Sequence, residues 1–248
     1  MNEHAPRLST TPRLFVGSME NGGPLSAGAS LSLPADQAHY VAQVMRRQPG
    51  DWLRLFDGHS GEWAAQVASV GKKQVVLQVM HESAPQEAVP DLWLCAAPLK
   101  RGRIDWLAEK ACELGVARLV PMLTQRTVVD RLNLDRLRAH MIEAAEQCGR
   151  TALPELAEPI TLERLLRDWP AERALIFADE QGGVPMPEVD APAPAAILIG
   201  PEGGFTDAER AAIRAVPTAR AVTLGPRILR ADTAAVAAVA VWQAMVGG

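Results

Sequence analysis

The stretch from residue 195 to residue 246 restricts the fold more than any other part of the chain. It repeats one plan twice: an apolar run, a glycine-proline loop, then a helix. The first copy is Ala195-Ala196-Ile197-Leu198-Ile199, followed by Gly200-Pro201-Glu202-Gly203-Gly204-Phe205 and a helix opening at Thr206-Asp207-Ala208-Glu209. The second is Ala221-Val222-Thr223-Leu224, followed by Gly225-Pro226-Arg227-Ile228-Leu229-Arg230 and an alanine-rich helix over residues 232–245. Short apolar runs that stop at glycine and lead into helices are parallel strands buried on both faces. Ligands in such sheets bind beyond the carboxyl ends of the strands. Two glycine-proline loops at two such ends therefore read as two walls of one pocket.

Local chemistry agrees. Gly200, Gly203 and Gly204 allow backbone angles and close approaches that a Cβ forbids, and Pro201 stiffens the loop. Thr206 with Glu209 three residues on is a capping box, so a helix should begin near Asp207. Asp207 and Asp232 both favour a helix start through the macrodipole. Glu202 is a carboxylate in a glycine loop: a solvated turn acid on the plainer reading, an organiser of the pocket on the functional one. Arg230 stands at the mouth of the last helix, where a cation is normally unfavourable. It is either simply solvated or waiting for a carboxylate, phosphate or base.

Upstream the pattern changes twice. Over residues 13–82 it is mainly strand: Arg13-Leu14-Phe15-Val16, then 52–56, 62–70 and 74–80, with one helix within 34–47. That spells a small, mostly antiparallel barrel or sheet. Residues 83–90 carry two prolines and no apolar period, and read as a linker. From Asp91 strands alternate with helices: strands at 92–97, 116–123 and 174–178, and helices at 104–114, 134–148 and 161–169. Such alternation implies a parallel sheet with helices on both faces. Two domains are expected, 1–85 and 86–248.

Composition removes several functions. The chain of 248 residues is 48% hydrophobic and 22% charged, so it is globular. No apolar run approaches a membrane span, and the first residues lack the apolar core of a signal peptide. Three widely spaced cysteines, Cys95, Cys112 and Cys148, argue for a reducing compartment, with cytoplasm the default. The five histidines have no ligand spacing, so no metal site is expected. Net charge is −4, with seven basic against seven acidic residues over 1–85 and eighteen against twenty-two over 86–248. A nucleic acid would have to be held by local arginine patches rather than by the global field.

Familiar cofactor motifs are missing: neither G-x-G-x-x-G after a first strand, nor a P-loop, nor a G-x-S-x-G elbow. The densest basic cluster is Lys100, Arg101 and Arg103, suited to phosphates or merely to solvent. Arg150 suits a helix C-terminus by dipole alone. Cys148 reads as a small buried hydrophobe, and the tryptophans, Trp52, Trp63, Trp93 and Trp106 among them, read mainly as core.

These residues together resemble a known family, the RsmE-type 16S ribosomal RNA uridine N3-methyltransferases of the SPOUT superfamily. The resemblance is carried by Arg13-Leu14-Phe15-Val16, residues 39–46, Gly50-Asp51, Phe56-Asp57-Gly58, Lys110, Glu113-Leu114-Gly115, Gln125-Arg126 and Glu146-Gln147-Cys148-Gly149-Arg150. Above all it rests on the two glycine-proline blocks. Ala231-Asp232-Thr233 departs slightly from the family's usual Thr-Glu-Thr but keeps an acid at the helix start. The segment between Arg126 and Glu143 is short for the family, which touches the RNA-facing surface.

The resemblance implies an α/β fold: a small N-terminal PUA-like β-barrel domain that handles RNA, and a C-terminal SPOUT domain with a parallel sheet and a deep trefoil knot. Knot and cofactor loops would lie within 174–246. It also implies a homodimer acting on 16S rRNA of the small ribosomal subunit. S-adenosyl-L-methionine would be held by Phe177, Ile199, Gly200, Pro201, Gly203, Gly204, Leu224, Gly225, Ile228 and Leu229. Arg230 and Glu202 would be catalytic. RNA would be contacted by Arg13, Arg46, Lys100, Arg101, Arg103, Arg126 and Arg150. No histidine falls in the matching loops to act as a general base, which leaves Arg230 to stabilise charge on the uracil oxygens. Two other readings remain at this point: a catalytically silent rRNA-binding or ribosome-assembly module, and a different nucleotide-binding α/β enzyme.

Overall fold

The computed structural model describes residues 10–17, 23–72, 74–100, 102–129 and 131–246, which fall into two compact units. The first takes in the chain up to Ala88 together with Ala145–Ala152, the second Val89–Ala144 with Leu153–Gly248.

The first unit is built on one mixed sheet. Its strands are β1 (Arg13–Phe15), β2 (Ser30–Ser32), β3 (Trp52–Phe56), β4 (Glu62–Val70) and β5 (Val75–Ala84), in the order β1-β3-β4-β5-β2. β1 runs parallel to β3, and the other pairs are antiparallel. Alternation along the strands sends Leu53, Leu55, Ala65, Val67, Leu77 and Val79 into one core. Helix α1 (Ala35–His39) continues as a π-helical turn, Tyr40–Val44, and adds Ala38 and Val41 to that core. β2 is short and polar at both ends, and no sequence pattern announced it.

Two expectations need correction here. The expected linker, residues 83–90, contains the boundary between the units at Ala88 and Val89, but its first half is tied into the first unit. β5 extends to Ala84, Gln86 accepts from the Gly61 N–H at 2.9 Å, and Glu87 accepts from Arg150 Nε at 3.0 Å and the Ala152 N–H at 2.8 Å. Arg13 and Arg150, expected to reach RNA, are each only 7% exposed. Arg13 pairs with Glu62 at 2.6 Å, stacks 4.4 Å from the Phe56 ring centroid, and donates to the carbonyls of Ala145, Glu146 and Arg150. Carbonyls at a helix end lack intrahelical partners, and a guanidinium with five donors serves several at once. Both arginines therefore hold the first unit together instead of facing a ligand.

The second unit is a parallel sheet. β6 (Leu92–Ala96), β7 (Arg118–Leu123), β8 (Glu155–Leu156), β10 (Ala174–Ala178), β11 (Val184–Pro185), β12 (Ala195–Ile199) and β13 (Ala219–Thr223) lie in the order β11-β13-β10-β12-β6-β7-β8. β9 (Ile160–Thr161) also pairs with β7, and every pairing is parallel. Helices α2 (Arg103–Glu113), α3 (Leu134–Cys148), α4 (Leu162–Arg167), α5 (Asp207–Arg214) and α6 (Ala231–Val246) connect or follow the strands. All five residues of β12 are buried, as a strand covered on both faces requires. Leu198 joins Phe177, Leu175 and Ile213 in one core cluster, while α6 packs against β12 and β6. Its buried residues Ala231, Ala234, Ala235, Ala238, Val239 and Trp242 recur at helical spacing.

One side-chain expectation fails, and the tryptophans are core only in part: Trp63, Trp93 and Trp169 pack against the cores from the side. Cys148 is exposed, unlike Cys95 and Cys112. Burial pushes the Cys95 thiol up to about 12, so it stays neutral. Trp242 alone of the six tryptophans is fully buried, its indole N–H donating to the Ala191 carbonyl at 2.8 Å. Trp106 is exposed, and Trp93 is half-buried under the guanidiniums of Arg118 and Arg173, 4.6 and 3.8 Å from its centroid. Indoles stacked beneath arginines are compatible with partial exposure because the ring face stays covered.

Candidate active site

The carboxyl ends of the adjacent strands β13, β10 and β12 open into one cleft enclosing about 340 Å³. Each contributes one wall. From β10 come Ala178, Asp179 and Glu180; from β12 come Ile199, Gly200, Pro201, Glu202, Gly204 and Phe205; from β13 and the loop before α6 come residues 222–231. This is where a doubly wound parallel sheet places its ligands.

The glycine-proline loop after β12 is braced on several sides. Phe205 is buried, and its ring lies 3.2 Å from where a Cβ at Gly200 would stand. Gly204 sits at φ +65°, and a Cβ there would fall 2.6 Å from Glu180 Oε1. Arg126 donates to the Gly203 carbonyl at 2.6 Å. The expected capping box is in place. Thr206 Oγ1 accepts from the Glu209 N–H, and Glu209 Oε2 accepts from the Thr206 N–H at 2.8 Å. Glu209 Oε1 also accepts from the Gln125 N–H at 2.8 Å, which ties α5 to the loop after β7.

Two charge clusters flank the cleft. Asp179 is buried and bound by Arg210 and, at 2.6 Å, by Arg214; Glu180 meets Arg210 at 2.5 Å. Across from them Arg103 lies 3.9 Å from Glu202 and 3.6 Å from Asp232. Arg227 and Arg230 line the cleft, are exposed, and form no ion pair or side-chain hydrogen bond among the described residues. The Arg230 carbonyl caps α6 by accepting from the Ala234 N–H at 2.8 Å. Its side chain is thus a cation at a helix start with no ion-pair partner among the described residues.

Sequence comparison decides the family. The RNA methyltransferase domain family matches residues 85–243, and the RNA methyltransferase PUA domain family matches residues 33–80. The chain belongs to the RsmE-type RNA methyltransferases. It is similar to ribosomal RNA small subunit methyltransferase E of Rickettsia conorii, 29% identical over 92% of this chain and 93% of that one. The Synechocystis protein of the same name is 31% identical over 86% of this chain and 72% of its own. The crystal structure of the Neisseria gonorrhoeae ribosomal RNA small subunit methyltransferase E, bound to S-adenosyl methionine, superposes with a TM-score of 0.86 at 27% identity. It covers 95% of this chain and 98% of that one.

Within the RsmE-type frame the expected site residues divide. Glu202, Arg230, Ile199, Gly200, Pro201, Gly204, Leu224, Gly225, Ile228 and Leu229 line the cleft together. Phe177 does not: its side chain is fully buried in the sheet core, and Ala178, one residue on, meets the cleft instead. Period-two alternation makes neighbouring strand residues face opposite ways. Gly203 turns its back on the cleft and lies against the Arg126 side chain, 3.4 Å from the position of a Cβ. Of the expected RNA contacts, Arg46 and Lys100 are exposed without an ion pair among the described residues, while Arg101 lies outside them. Arg103 and Arg126 also make contacts at the cleft wall, as described above.

Sequence reasoning passed over Asp179, Glu180 and Arg210. The run Asp179-Glu180-Gln181-Gly182-Gly183 carried a signal, acids directly after a buried strand and before paired glycines. Its partner Arg210 sits 31 residues away from Asp179 on another element and gives no local clue.

Proposed function

We propose that the protein methylates N3 of a uridine in 16S rRNA, with S-adenosyl-L-methionine as methyl donor. The observation that carries this is the cleft where β10, β12 and β13 end, with an unpaired Arg230 on one wall and a braced glycine loop on another. The residues present fit the donor. Gly200 and Gly204 bring the backbone to the cleft wall where side chains would crowd it, and Ile199, Leu224 and Leu229 offer apolar surface for an adenine. Bound S-adenosyl-L-methionine supplies an activated methyl group on a sulfonium.

The chain's own residues do the rest. Uracil N3 carries a proton and becomes nucleophilic only without it. Arg230, without an ion-pair partner among the described residues, is available to hold the negative charge that develops on the uracil oxygens. Glu202, steadied by Arg103, orders the opposite edge of the cleft. Among the described residues no histidine lines the cleft, so the N3 proton leaves to solvent, and charge stabilisation and alignment carry the acceleration. Arg46 and Lys100 are the exposed cations suited to RNA phosphates. In this division of labour residues 1–85 bind RNA, joined by Lys100, and 86–248 carry the chemistry. In this reading the region 174–246 forms the trefoil knot, the protein works as a homodimer, and its substrate locates it in the cytoplasm.

The test is an Arg230→Ala variant assayed on 16S rRNA or small subunits. Methyl transfer should fall by about 10²–10³ while S-adenosylhomocysteine still binds within a few-fold. Near-normal turnover in that variant removes Arg230 from the mechanism. Nucleoside mapping of rRNA from cells with and without the protein identifies the methylated position.

A further inference from the structure

Three carboxylates line the cleft among the described residues, Asp179, Glu180 and Glu202, and they differ in what they still offer. Asp179 is buried, with one oxygen taken by Arg210 and the other by Arg214. Glu202 is already opposite Arg103. Glu180 accepts from Arg210 Nη2 at 2.5 Å through Oε1 only; its side chain is 43% exposed, and Oε2 has no hydrogen-bond donor among the described residues. The carboxylate lies directly against Gly204, with Oε1 2.6 Å and Oε2 3.0 Å from where a Cβ at that position would stand. Glycine at 204 is what admits it to the junction of the β10 and β12 walls.

Charge decides what such a group can hold. Asp179 and Glu180 face Arg210 and Arg214, so the cluster is balanced and has no surplus negative charge to attract an ammonium or sulfonium. It has instead an ionised acceptor, pinned at one oxygen and open at the other. An ionised carboxylate offers about four lone-pair sites on two oxygens. Its complement is an uncharged donor, best a pair of neighbouring hydroxyls. Acidic side chains beside the carboxyl ends of parallel strands hold ribose hydroxyls in this way in nucleotide sites of quite different ancestry.

The geometry points to Glu180 as the residue that grips the ribose hydroxyls of the methyl donor, with Arg210 as the positioning residue that fixes its carboxylate. This rests on the cleft being the S-adenosyl-L-methionine site. Through the ribose, Glu180 sets how deeply the donor sits between the two glycine-proline loops.

Calorimetric binding tests the assignment without any turnover. Dissociation constants are measured for S-adenosylhomocysteine and its 2′-deoxy analogue, with the full-length protein and with Glu180→Ala and Glu180→Gln. The unaltered protein should bind the deoxy analogue about tenfold more weakly, the usual loss for a charge-assisted hydrogen bond. Glu180→Ala should bind S-adenosylhomocysteine more weakly by a similar factor and no longer distinguish the two ligands. Glu180→Gln keeps an acceptor for Arg210 and should fall between. If Glu180→Ala melts far below the unaltered protein, the near-isosteric Glu180→Gln decides alone. Variants that discriminate between the ligands as strongly as the unaltered protein overturn the role of Glu180. An unaltered protein that binds neither ligand overturns the underlying reading of the cleft as well.

Discussion

The two glycine-proline loops look alike in sequence and differ in structure. The loop after β12 is gripped by Arg126, Phe205, Glu180 and the capped start of α5. The loop after β13 has little of this. Among the described residues its hydrogen bonds are the local pair between Thr223 Oγ1 and Gly225, at 3.1 and 3.3 Å, and the cap that Arg230 gives α6. Residues 225–228 are exposed, and Ile228 is 86% so. One loop is therefore braced by contacts from three other elements, while the other is held by little beyond its own ends.

The sharpest way to break this contrast is to add a methyl group to each loop. Gly204→Ala meets both a positive φ and the Glu180 carboxylate. A left-handed alanine costs about 1–2 kcal/mol, and the displaced acid adds to it, so S-adenosylhomocysteine affinity should fall roughly thirty- to hundredfold. Gly225→Ala has a positive φ of +114° but nothing within 4 Å. It should lose no more than about tenfold. Equal losses in calorimetry would erase the distinction between a crowded loop and an open one.

Removing Glu209 attacks the brace itself. Glu209→Ala leaves the Thr206 and Gln125 N–H groups without their acceptor, and about 2–3 kcal/mol of unfolding free energy should go with it. Denaturant melts of the variant measure this, and a loss under about 0.5 kcal/mol, the range of an ordinary surface change, would show the loop to be held by other means. Hydrogen exchange gives the converse. Amides of residues 225–230 should gain more protection from S-adenosylhomocysteine than those of 200–205, which are ordered beforehand. Smallest of all, Ile228→Ser should change stability by within about 0.5 kcal/mol, its effect appearing only when substrate or partner binding is measured.

What the sequence made legible was local or periodic. The α5 capping box, the bounds of α3 and the ends of β10 and β12 follow from residues a few positions apart. What it hid depends on distant partners. β2, β8, β9 and β11 are two or three residues long and exist only because a neighbouring strand pairs with them. Arg13 looked like an RNA contact because its partner carbonyl at Ala145 lies 132 residues on. Nothing local announced the hold of Arg126 on Gly203 either. An arginine's sequence neighbours say that it is charged, not which carbonyl or carboxylate it meets. The likeness of the two glycine-proline blocks misled for the same reason, since their surroundings, not their own residues, separate them.

The reach of Arg13 into residues 145–150 has a consequence for how the chain is made. As translation proceeds, the N-terminal sheet leaves the ribosome long before the helix end that answers this arginine and Glu87. Until that later segment emerges, the nascent unit holds a guanidinium with carbonyls still to come, and it matures only when the polypeptide loops back. A fragment ending at Ala88 would lack the carbonyls that Arg13 donates to and the Arg150 that Glu87 holds.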